Sequence, residues 1–443
     1  MIVILGGGPA GRTAAVHLAS AGQEVQLVES GAIGGQCLNY GCMVMCALND
    51  AARSLHTTRN LCSLGILDSV PSIRFDSLMR ELHAVQGTIA RILDAETRAA
   101  GAEIRYGLEG RLDGKTLTIG GEREDADAVL VATGSKPAIP DIDGITLPGV
   151  YNPHTLSRMV SLPERMVVIG GGIMAAEIAY VFAQFGSEVT LVARSQFLKR
   201  LDPKLKNLAL KELADVHIHT HTTIGKINGS SCVESITIKT GNAQDTLETD
   251  AVFVAAGLIP RTDSLSGLKT GALGEVVVDK RMRTNIGGVF AAGDVTGPPY
   301  LTPVSRHEGL VAAENILGRE CDMDYRYFPQ YMSLNNEFGF FGEENPEAVS
   351  FSIPGPAGPG SFWEVPRGDT GVATIRIDPS DGRICGVSTA APAGGIITAY
   401  MAFLARRDMK VHDFSDFREV HPMADGVYGL ARYADWYLKR KNK

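Results

Sequence analysis

The sequence of 443 residues lacks the features that mark several large classes of protein. It has no apolar run as long as a membrane span, so no membrane partner is expected. It has no excess of basic residues: 42 lysines and arginines against 50 acidic residues give a formal net charge of -8, which argues against binding to nucleic acid. Its seven cysteines are odd in number and mostly scattered, unlike a secreted disulfide framework.

The composition that is present, with 44% hydrophobic and 21% charged residues, is typical of a soluble globular protein. The length exceeds what one ordinary core supports and suggests two or three domains. Met1 is followed directly by an apolar run typical of a strand, which leaves no space for a signal peptide, so we expect a cytoplasmic location. In a reducing cytoplasm, neighbouring cysteines are more often catalytic or metal-binding than structural.

The first glycine cluster, in MIVILGGGPAGRTAAVHLASAGQEVQLVES, predicts a dinucleotide site. Gly6, Gly8 and Gly11 form G-x-G-x-x-G directly after an apolar strand and before a helix. These glycines allow a tight turn, close approach of a pyrophosphate and close packing of helix on strand. Glu29 ends the next strand, where a carboxylate is placed to accept hydrogen bonds from a ribose diol.

A second cluster, in RMVVIGGGIMAAEIAYVFAQFGSEVTLVARS, repeats the pattern with Gly170, Gly172 and Ala175. No acid ends its second strand. Arg194 stands there instead, with Arg200 six residues further on, and an arginine at that place can pair with a 2′-phosphate. The second site therefore favours NADPH, with NADH possible, although two solvated surface arginines would give the same pattern.

Three further apolar runs fit two nucleotide domains. DAVLVATG and DAVFVAAG each predict a buried strand that ends in a small-residue turn, at Gly134 and Gly257. GGVFAAGD predicts a strand that ends at Gly293 and Asp294, and an acid there could hold the ribityl chain of a flavin. Two dinucleotide folds in one chain suggest a flavin working with a nicotinamide.

The stretch GGQCLNYGCMVMC places three cysteines, Cys37, Cys42 and Cys46, within ten residues. The first two lie where a glycine loop enters a helix, and a helix N-terminus stabilises the thiolate that attacks disulfides. A metal site would need a fourth ligand, and the spacing is not C-x-x-C, with no histidine before His56. The residues alone leave a redox pair, a metal site and inert buried thiols open, in that order of preference.

The motifs GGGPAG, GGQCLNYGC, VATGSKP, VIGGGIMAAE, VAAGLIP, GGVFAAGD and EVHP, in this order, resemble the FAD-dependent pyridine nucleotide–disulfide oxidoreductases. This is the group of dihydrolipoamide dehydrogenase, glutathione reductase and mercuric reductase, and the resemblance covers essentially the whole chain. It implies an α/β fold with two Rossmann-like dinucleotide-binding domains and an α+β dimerisation domain. The implied boundaries are 1–148 with 261–324 for FAD, 149–260 for NAD(P)H, and 325–443 for the dimer interface.

The resemblance also implies a reaction. Electrons would pass from NAD(P)H through FAD to a disulfide between Cys37 and Cys42, and on to a small-molecule or protein disulfide or a related sulfur substrate. Cys37 would be the interchange thiol and Cys42 the thiol beside the flavin. His421, in EVHP, matches the catalytic base, which would reach the site of the partner subunit in a homodimer.

Two departures from the family pattern affect the expected chemistry. Cys46 stands where the family commonly has a lysine, while that lysine's partner is kept as Glu177. Glu177 is then either protonated or supported by another group, because an unpaired buried carboxylate is costly. The glutamate that orients the histidine is replaced by Gly426, and Asp425, one residue earlier, could substitute for it.

These departures leave two alternatives to a free disulfide reductase. The chain could be a flavoprotein subunit for electron transfer or assembly in a larger complex. Cys46 could also handle persulfide sulfur or exchange disulfide partners, since it lies four residues from Cys42 on one helix face, although a small apolar filler is as good an interpretation.

The motifs together nominate two sets of site residues and no metal ligands. The candidate catalytic residues are Cys37, Cys42, Cys46, Glu177, His421 and Asp425. The candidate contacts to FAD and the nicotinamide cofactor are Gly6, Gly8, Pro9, Ala10, Gly11, Glu29, Gly35, Gln36, Ala132, Thr133, Gly134, Gly170, Gly172, Ile173, Met174, Ala175, Arg194, Arg200, Gly257, Gly293 and Asp294.

Overall fold

The structure is a computed structural model of the chain, and it describes residues 1–423 and 426–441. The α-helices within these residues are α1 (Pro9–Ser20), α2 (Gly35–Asn39), α3 (Cys42–Ser63), α4 (Phe75–Ala99), α5 (Ile173–Phe185), α6 (Pro203–Glu212), α7 (Thr302–Ile316), α8 (Gly394–Arg406) and α9 (Val427–Lys441). Short 3₁₀ helices cover Leu156–Arg158, Asp294–Thr296, Phe362–Arg367 and Val411–Asp416.

The strands are short and fall into six sheets. In chain order they are β1 (Ile2–Leu5), β2 (Val25–Glu29), β3 (Glu103–Tyr106), β4 (Gly110–Asp113), β5 (Thr116–Ile119), β6 (Glu122–Glu124), β7 (Ala128–Val131), β8 (Ser135–Pro137), β9 (Val150–Tyr151), β10 (Arg165–Ile169), β11 (Glu188–Ala193), β12 (Val216–Thr220), β13 (Thr222–Asn228), β14 (Ser235–Thr240), β15 (Ala243–Glu248), β16 (Ala251–Val254), β17 (Leu258–Pro260), β18 (Leu265–Ser266), β19 (Val289–Ala291), β20 (Gln330–Ser333), β21 (Glu337–Gly342), β22 (Val349–Pro354), β23 (Val372–Ile377) and β24 (Ile384–Ala391).

The first large sheet is parallel, with the strand order β19-β7-β1-β2-β3. Alternate residues of β1 face opposite ways, as a strand requires. Ile2 and Ile4 pack in a core with residues of α1 and α7, whereas Val3 and Leu5 pack with Leu112 and other residues of the small sheet β18-β4-β5-β6. Both faces are covered, so all four residues of β1 are buried.

The second large sheet repeats this plan, with the parallel order β12-β11-β10-β16-β9. Met166 and Val168 of β10 join the core that contains α5, whereas Val167 and Ile169 face the antiparallel sheet β13-β14-β15. The remaining small sheet pairs β8 with β17.

Glycine turns end the central strand of each large sheet. Gly6 has φ of 110° and Gly170 has φ of 150°, both outside the range that residues with a Cβ readily adopt. A Cβ on Gly6 would lie 2.3 Å from the carbonyl oxygen of Ala132, and one on Gly170 would lie 2.4 Å from that of Ala255. Each turn therefore touches the end of the neighbouring strand, which fixes the phosphate-binding loop against its sheet.

The C-terminal part is built on an antiparallel sheet with the order β20-β21-β24-β23-β22. Residues of α8 and α9 cover its apolar face, where Ile375 and Ile377 pack near Met401 and Ala431. β23 and β24 form an antiparallel hairpin, and α8 follows it in the chain.

These elements confirm the predicted α/β fold class. The boundaries proposed for the three domains stay a prediction. Among the described residues, no helix has both the length and the apolar character that crossing a bilayer requires.

Candidate active site

A cavity opens at the carboxyl ends of β1, β2 and β7, where open parallel sheets bind ligands. Most of the predicted FAD contacts line it: Gly6, Gly8, Pro9, Ala10, Glu29, Gly35, Gln36, Ala132, Thr133, Gly134, Gly293 and Asp294. Gly11 does not line it. A Cβ there would lie 2.0 Å from the carbonyl oxygen of Gly6, so this glycine allows α1 to pack on the turn.

Glu29 fixes the rim of this cavity. Its two carboxylate oxygens accept hydrogen bonds of 2.7 Å from the backbone N–H groups of Gly7 and Gly31. The carboxylate therefore ties the first glycine loop to the end of β2. Because a carboxylate oxygen has a second lone pair, Glu29 can still accept a hydrogen bond from a ribose hydroxyl, as the sequence predicted.

Asp294 lies at the opposite end of the cavity, directly after Gly293. Ser135 Oγ donates to it at 2.6 Å and Ser305 Oγ donates at 3.3 Å, while burial raises the pKa of its carboxyl group. Neither Ser135 nor Ser305 was predicted, because a serine at the start of a short strand or within a helix has no distinctive local pattern.

The residues present fit an FAD. A Cβ on Gly8 would have its nearest neighbour at 3.8 Å, on Gly35, so the backbone at the start of α1 is open to a pyrophosphate. An acidic residue stands at each end of the cavity, at the positions suited to a ribose and a ribityl chain. Tyr40 and His154 also line the cavity, with ring centroids 4.3 Å apart, and neither was predicted.

The second glycine turn has the same open geometry. Gly172 caps α5 without a side-chain hydrogen bond, and a Cβ there would meet no atom within 4 Å. The unpaired N–H groups of Ile173, Met174 and Ala175 in the first turn of α5 therefore suit a phosphate. Gly257, with φ of 107°, lies three residues after the end of the neighbouring strand β16.

The loop after β11 presents the two predicted arginines. Phe197 and Leu198 are buried and anchor its middle, and Leu198 N–H donates to the carbonyl oxygen of Gly171 at 2.8 Å. Arg194 and Arg200 stay exposed at the two ends of this anchor. The loop that carries both cations is thus fastened to the nucleotide turn.

The predicted thiol pair is brought together. Cys37 lies in α2 and Cys42 is the first residue of α3, and the two thiols are close enough for each to act on the other. The Cys42 thiol, with Thr302 and the charge of Arg306, outweighs burial and lowers the pKa of Cys37 to about 6. Cys37 and burial raise the pKa of Cys42. This difference in pKa favours Cys37 as the thiolate of the pair.

Thr302 and Arg306 were not predicted. They lie on α7, far from the cysteines in sequence, and the Thr302 hydroxyl is 3.8 Å from Cys42 Sγ. No local motif around them signals a contact with a thiol.

Glu177 is buried in α5, beside α3, and the residue is 9% exposed. Its Oε1 accepts a 2.8 Å hydrogen bond from the backbone N–H of Ser333, at the end of β20. Burial raises its pKa to about 8, so the carboxyl group is largely protonated at neutral pH. The charge of Arg53 acts in the opposite direction and lowers this pKa.

Cys46 is an exposed thiol close enough to Cys42 and Glu177 for their charges to act on it. Burial of its sulfur is the largest cause of a raised pKa. His421 is exposed within one chain and lies near Glu419. Asp425 lies outside the described residues. In the described part of the chain, no cluster of three or more His, Cys, Asp and Glu side chains is arranged as a metal site.

Two nucleotide turns, a pair of interacting thiols at a helix start and an acid at each end of the FAD cavity define a dithiol flavoprotein that uses a pyridine nucleotide. Comparisons with known proteins agree. A family model described as pyridine nucleotide-disulphide oxidoreductase matches residues 1–309, and the chain belongs to this family. Its members use FAD and NAD(P)H, and the chain is accordingly an NAD(P)H-dependent FAD disulfide oxidoreductase.

Individual relatives span the chain. It is 30% identical over 420 residues to a mercuric reductase of Streptomyces lividans, with 90% of this chain and 88% of the relative covered. It is 28% identical over 444 residues to a dihydrolipoyl dehydrogenase of Bacillus subtilis, with 95% of each covered. The solved structure of the HOCl-induced flavoprotein disulfide reductase RclA from Escherichia coli is similar in fold, with a TM-score of 0.85 at 24% identity, covering 98% of this chain and 99% of that one.

The acidity of Cys37 is testable. In the reduced protein, alkylation of Cys37 by iodoacetamide should rise through a midpoint near pH 6, because only the thiolate reacts. Thr302→Val and Arg306→Gln should each move the midpoint upward, since each removes a group that favours the thiolate. Peptide mass spectrometry after timed alkylation gives the rate at Cys37 itself.

Arg319→Gln is the matched control for this experiment, because Arg319 is an exposed arginine just beyond the same helix whose ion pair is with Glu314. It should leave the midpoint unchanged. A wild-type midpoint at or above pH 9, the ordinary value for a thiol, would contradict the assignment of Cys37 as the thiolate.

Proposed function

We propose that the protein reduces a disulfide or a related sulfur compound through a redox disulfide between Cys37 and Cys42. The observation that supports this most strongly is the placement of two interacting thiols, Cys37 in α2 and Cys42 at the start of α3, directly after Gly35 and Gln36, which line the FAD cavity. The described residues also offer no set of three metal ligands in its place.

The chain's own residues suffice for the thiol half of the reaction. The Cys37 thiolate attacks one sulfur of the substrate disulfide, forming a mixed disulfide and releasing the other half as a thiolate, which takes up a proton. Cys42 then loses its proton and attacks the Cys37 sulfur. This step releases the second half of the substrate as a thiol and leaves the Cys37–Cys42 disulfide. A bound FAD supplies the two electrons from NAD(P)H that restore the dithiol.

We further propose that NADPH is preferred to NADH. The support is the anchored loop after β11, which holds Arg194 and Arg200 exposed beside the nucleotide turn. Neither arginine has an ion-pair partner among the described residues, so both are free to meet a 2′-phosphate.

We propose that the active unit is a homodimer in which His421 acts as the base of the partner's site. One face of α8 supports an interface: Ile396, Tyr400 and Phe403 are spaced along it and are 76%, 55% and 59% exposed. Large apolar side chains grouped in this way are typical of a surface that is covered by another protein. The family's members are typically homodimers, which supports the same arrangement.

The reductase proposal is tested by Cys37→Ser. This variant should lose more than about 99% of NADPH-dependent disulfide reduction, because serine at neutral pH is not a thiolate nucleophile. NADPH should still reduce the bound flavin in this variant. The loss of flavin absorbance under anaerobic conditions measures this reduction. A general disulfide such as 5,5′-dithiobis(2-nitrobenzoate) serves as the first substrate.

Cys232→Ser, at an exposed cysteine outside the pair, is the control and should keep full activity. If Cys37→Ser is as active as wild type, the proposal is wrong. If the isolated wild-type protein shows little activity and co-purifies with a partner, the alternative of a subunit in a larger complex is correct instead.

The nucleotide preference is tested separately with Arg194→Ala and Arg200→Ala. Each should raise KM for NADPH by about tenfold, since each removes one charge-assisted contact to a phosphate. KM for NADH should change little. The exposed Arg158 lies outside this loop, so Arg158→Ala is the control. Equal effects on both cofactors would contradict the preference for NADPH.

A further inference from the structure

One face of α3 carries four polar side chains in a line. Cys42, Cys46, Asn49 and Arg53 follow one another at intervals of four, three and four residues, which keeps them on the same side of the helix. The line begins at the redox pair and ends two turns beyond Cys46. All four side chains face the region where α3, α5 and β20 meet.

The far end of this line is fastened to the turn after β20. Arg53 donates from Nε to the carbonyl oxygen of Leu334 at 2.7 Å and from Nη2 to Ser333 Oγ at 3.0 Å. Asn49 donates from Nδ2 to the same two groups, at 3.1 and 2.6 Å. The guanidinium is thus held in one orientation by two acceptors, which a planar fork can satisfy together.

The same turn supports Glu177. Ser333 accepts from Arg53 with its hydroxyl oxygen and donates to Glu177 Oε1 with its backbone N–H at 2.8 Å. That bond is the single hydrogen bond found for the Glu177 carboxyl group among the described residues. An ionised carboxylate that is buried with one hydrogen-bond donor and no adjacent cation raises the free energy of the folded protein. A positive charge that reaches Glu177 through one intervening residue, Ser333, therefore favours its ionised form.

We propose that Arg53, acting through Ser333, is the cation that supports Glu177 in this chain, in place of a positive charge at position 46. Arg53 is a positioning residue: it orients the turn that holds Glu177 and lends its charge to the flavin side of the site. This inference rests on the proposed function only for the placement of the flavin beside Cys42.

Other charged groups face Glu177 and share its field. Cys42 and Cys46, both on α3, are close enough to Glu177 for their charges to interact with its own. Asp50 acts on Cys46, and Tyr331 of β20 is close to Arg53. Glu337, on β21, forms an ion pair with Arg53, with 3.7 Å between Glu337 Oε1 and Arg53 Nη1. This negative charge weakens the effect of the Arg53 charge on Glu177. Arg53 is the cation among these groups, so its removal leaves Glu177 among neutral or acidic neighbours.

The test is Arg53→Met in the FAD-containing protein, followed by the double variant Arg53→Met/Cys46→Lys. The visible spectrum of the oxidised flavin and the rate of its reduction by NADPH are measured from about pH 6 to pH 10. The wild type should show a transition near pH 8, from Glu177. Arg53→Met should move the transition upward by about one pH unit, because a cation favours the ionised carboxylate.

Cys46→Lys in this background should return the transition to the wild-type position or below it, because a lysine there restores a cation beside Glu177. Arg59→Met is the matched control. Arg59 lies on the same helix and also reaches α5, but it binds the side chain and carbonyl of Gln184 rather than Ser333. Arg53→Lys covers the case in which Arg53→Met fails to fold, and it should shift the transition less than Arg53→Met.

Four results would overturn the proposal: no transition in the wild type, no shift in the Arg53 variants, an equal shift in Arg59→Met, or no restoration by Cys46→Lys. Failure of Cys46→Lys to restore the transition would show that Arg53 acts only through packing, which also contradicts it. These outcomes are independent of the reductase proposal, because flavin spectra and flavin reduction do not require Cys37.

Discussion

The packing of α3 against α5 is the contact on which the site depends. α3 begins with Cys42 of the thiol pair, and α5 begins at the second nucleotide turn. Their apolar faces meet in one core, in which Leu48 and Phe182 are fully buried. Burial of such side chains contributes about 1.5–3 kcal/mol each, which suffices to hold polar groups between the helices at fixed positions. One helix pair therefore positions both the thiol pair and the second nucleotide turn.

This arrangement explains why the site tolerates an unusual residue at position 46. Glu177 is enclosed by the same helix pair, and its environment comes from backbone and side chains at the turn after β20 rather than from a direct ion pair. A protonated carboxyl group satisfies much of the same site at neutral pH.

Much of the fold could be predicted from the sequence, because its signals are local. Patterns of at most thirty residues indicate the glycine turns at Gly6 and Gly170, the apolar strands before them and the acid at Glu29. The structure has these features in the expected elements. The thiol pair is likewise a local motif. Gly11 has the packing role that the motif predicts for its third glycine, and it does not line the cavity.

The groups that tune the site could not be predicted, because they arrive from distant parts of the chain. Thr302 and Arg306 act on the thiols from α7, and Ser333 reaches Glu177 from β20. Arg53 is close in sequence to Cys46, but its importance depends on a turn almost three hundred residues away. Contacts of this kind are fixed by the packing of the whole chain. They leave no local motif or periodicity in a single sequence from which they could be predicted.

The most direct test of the central claim is an anaerobic reductive titration of the FAD-containing protein with dithionite, followed by absorbance. A dithiol pair that shares electrons with the flavin requires four electrons per chain, two for the flavin and two for the Cys37–Cys42 disulfide. The account predicts this uptake in the wild type and only two electrons in Cys37→Ser. An uptake of two electrons in both proteins would contradict it.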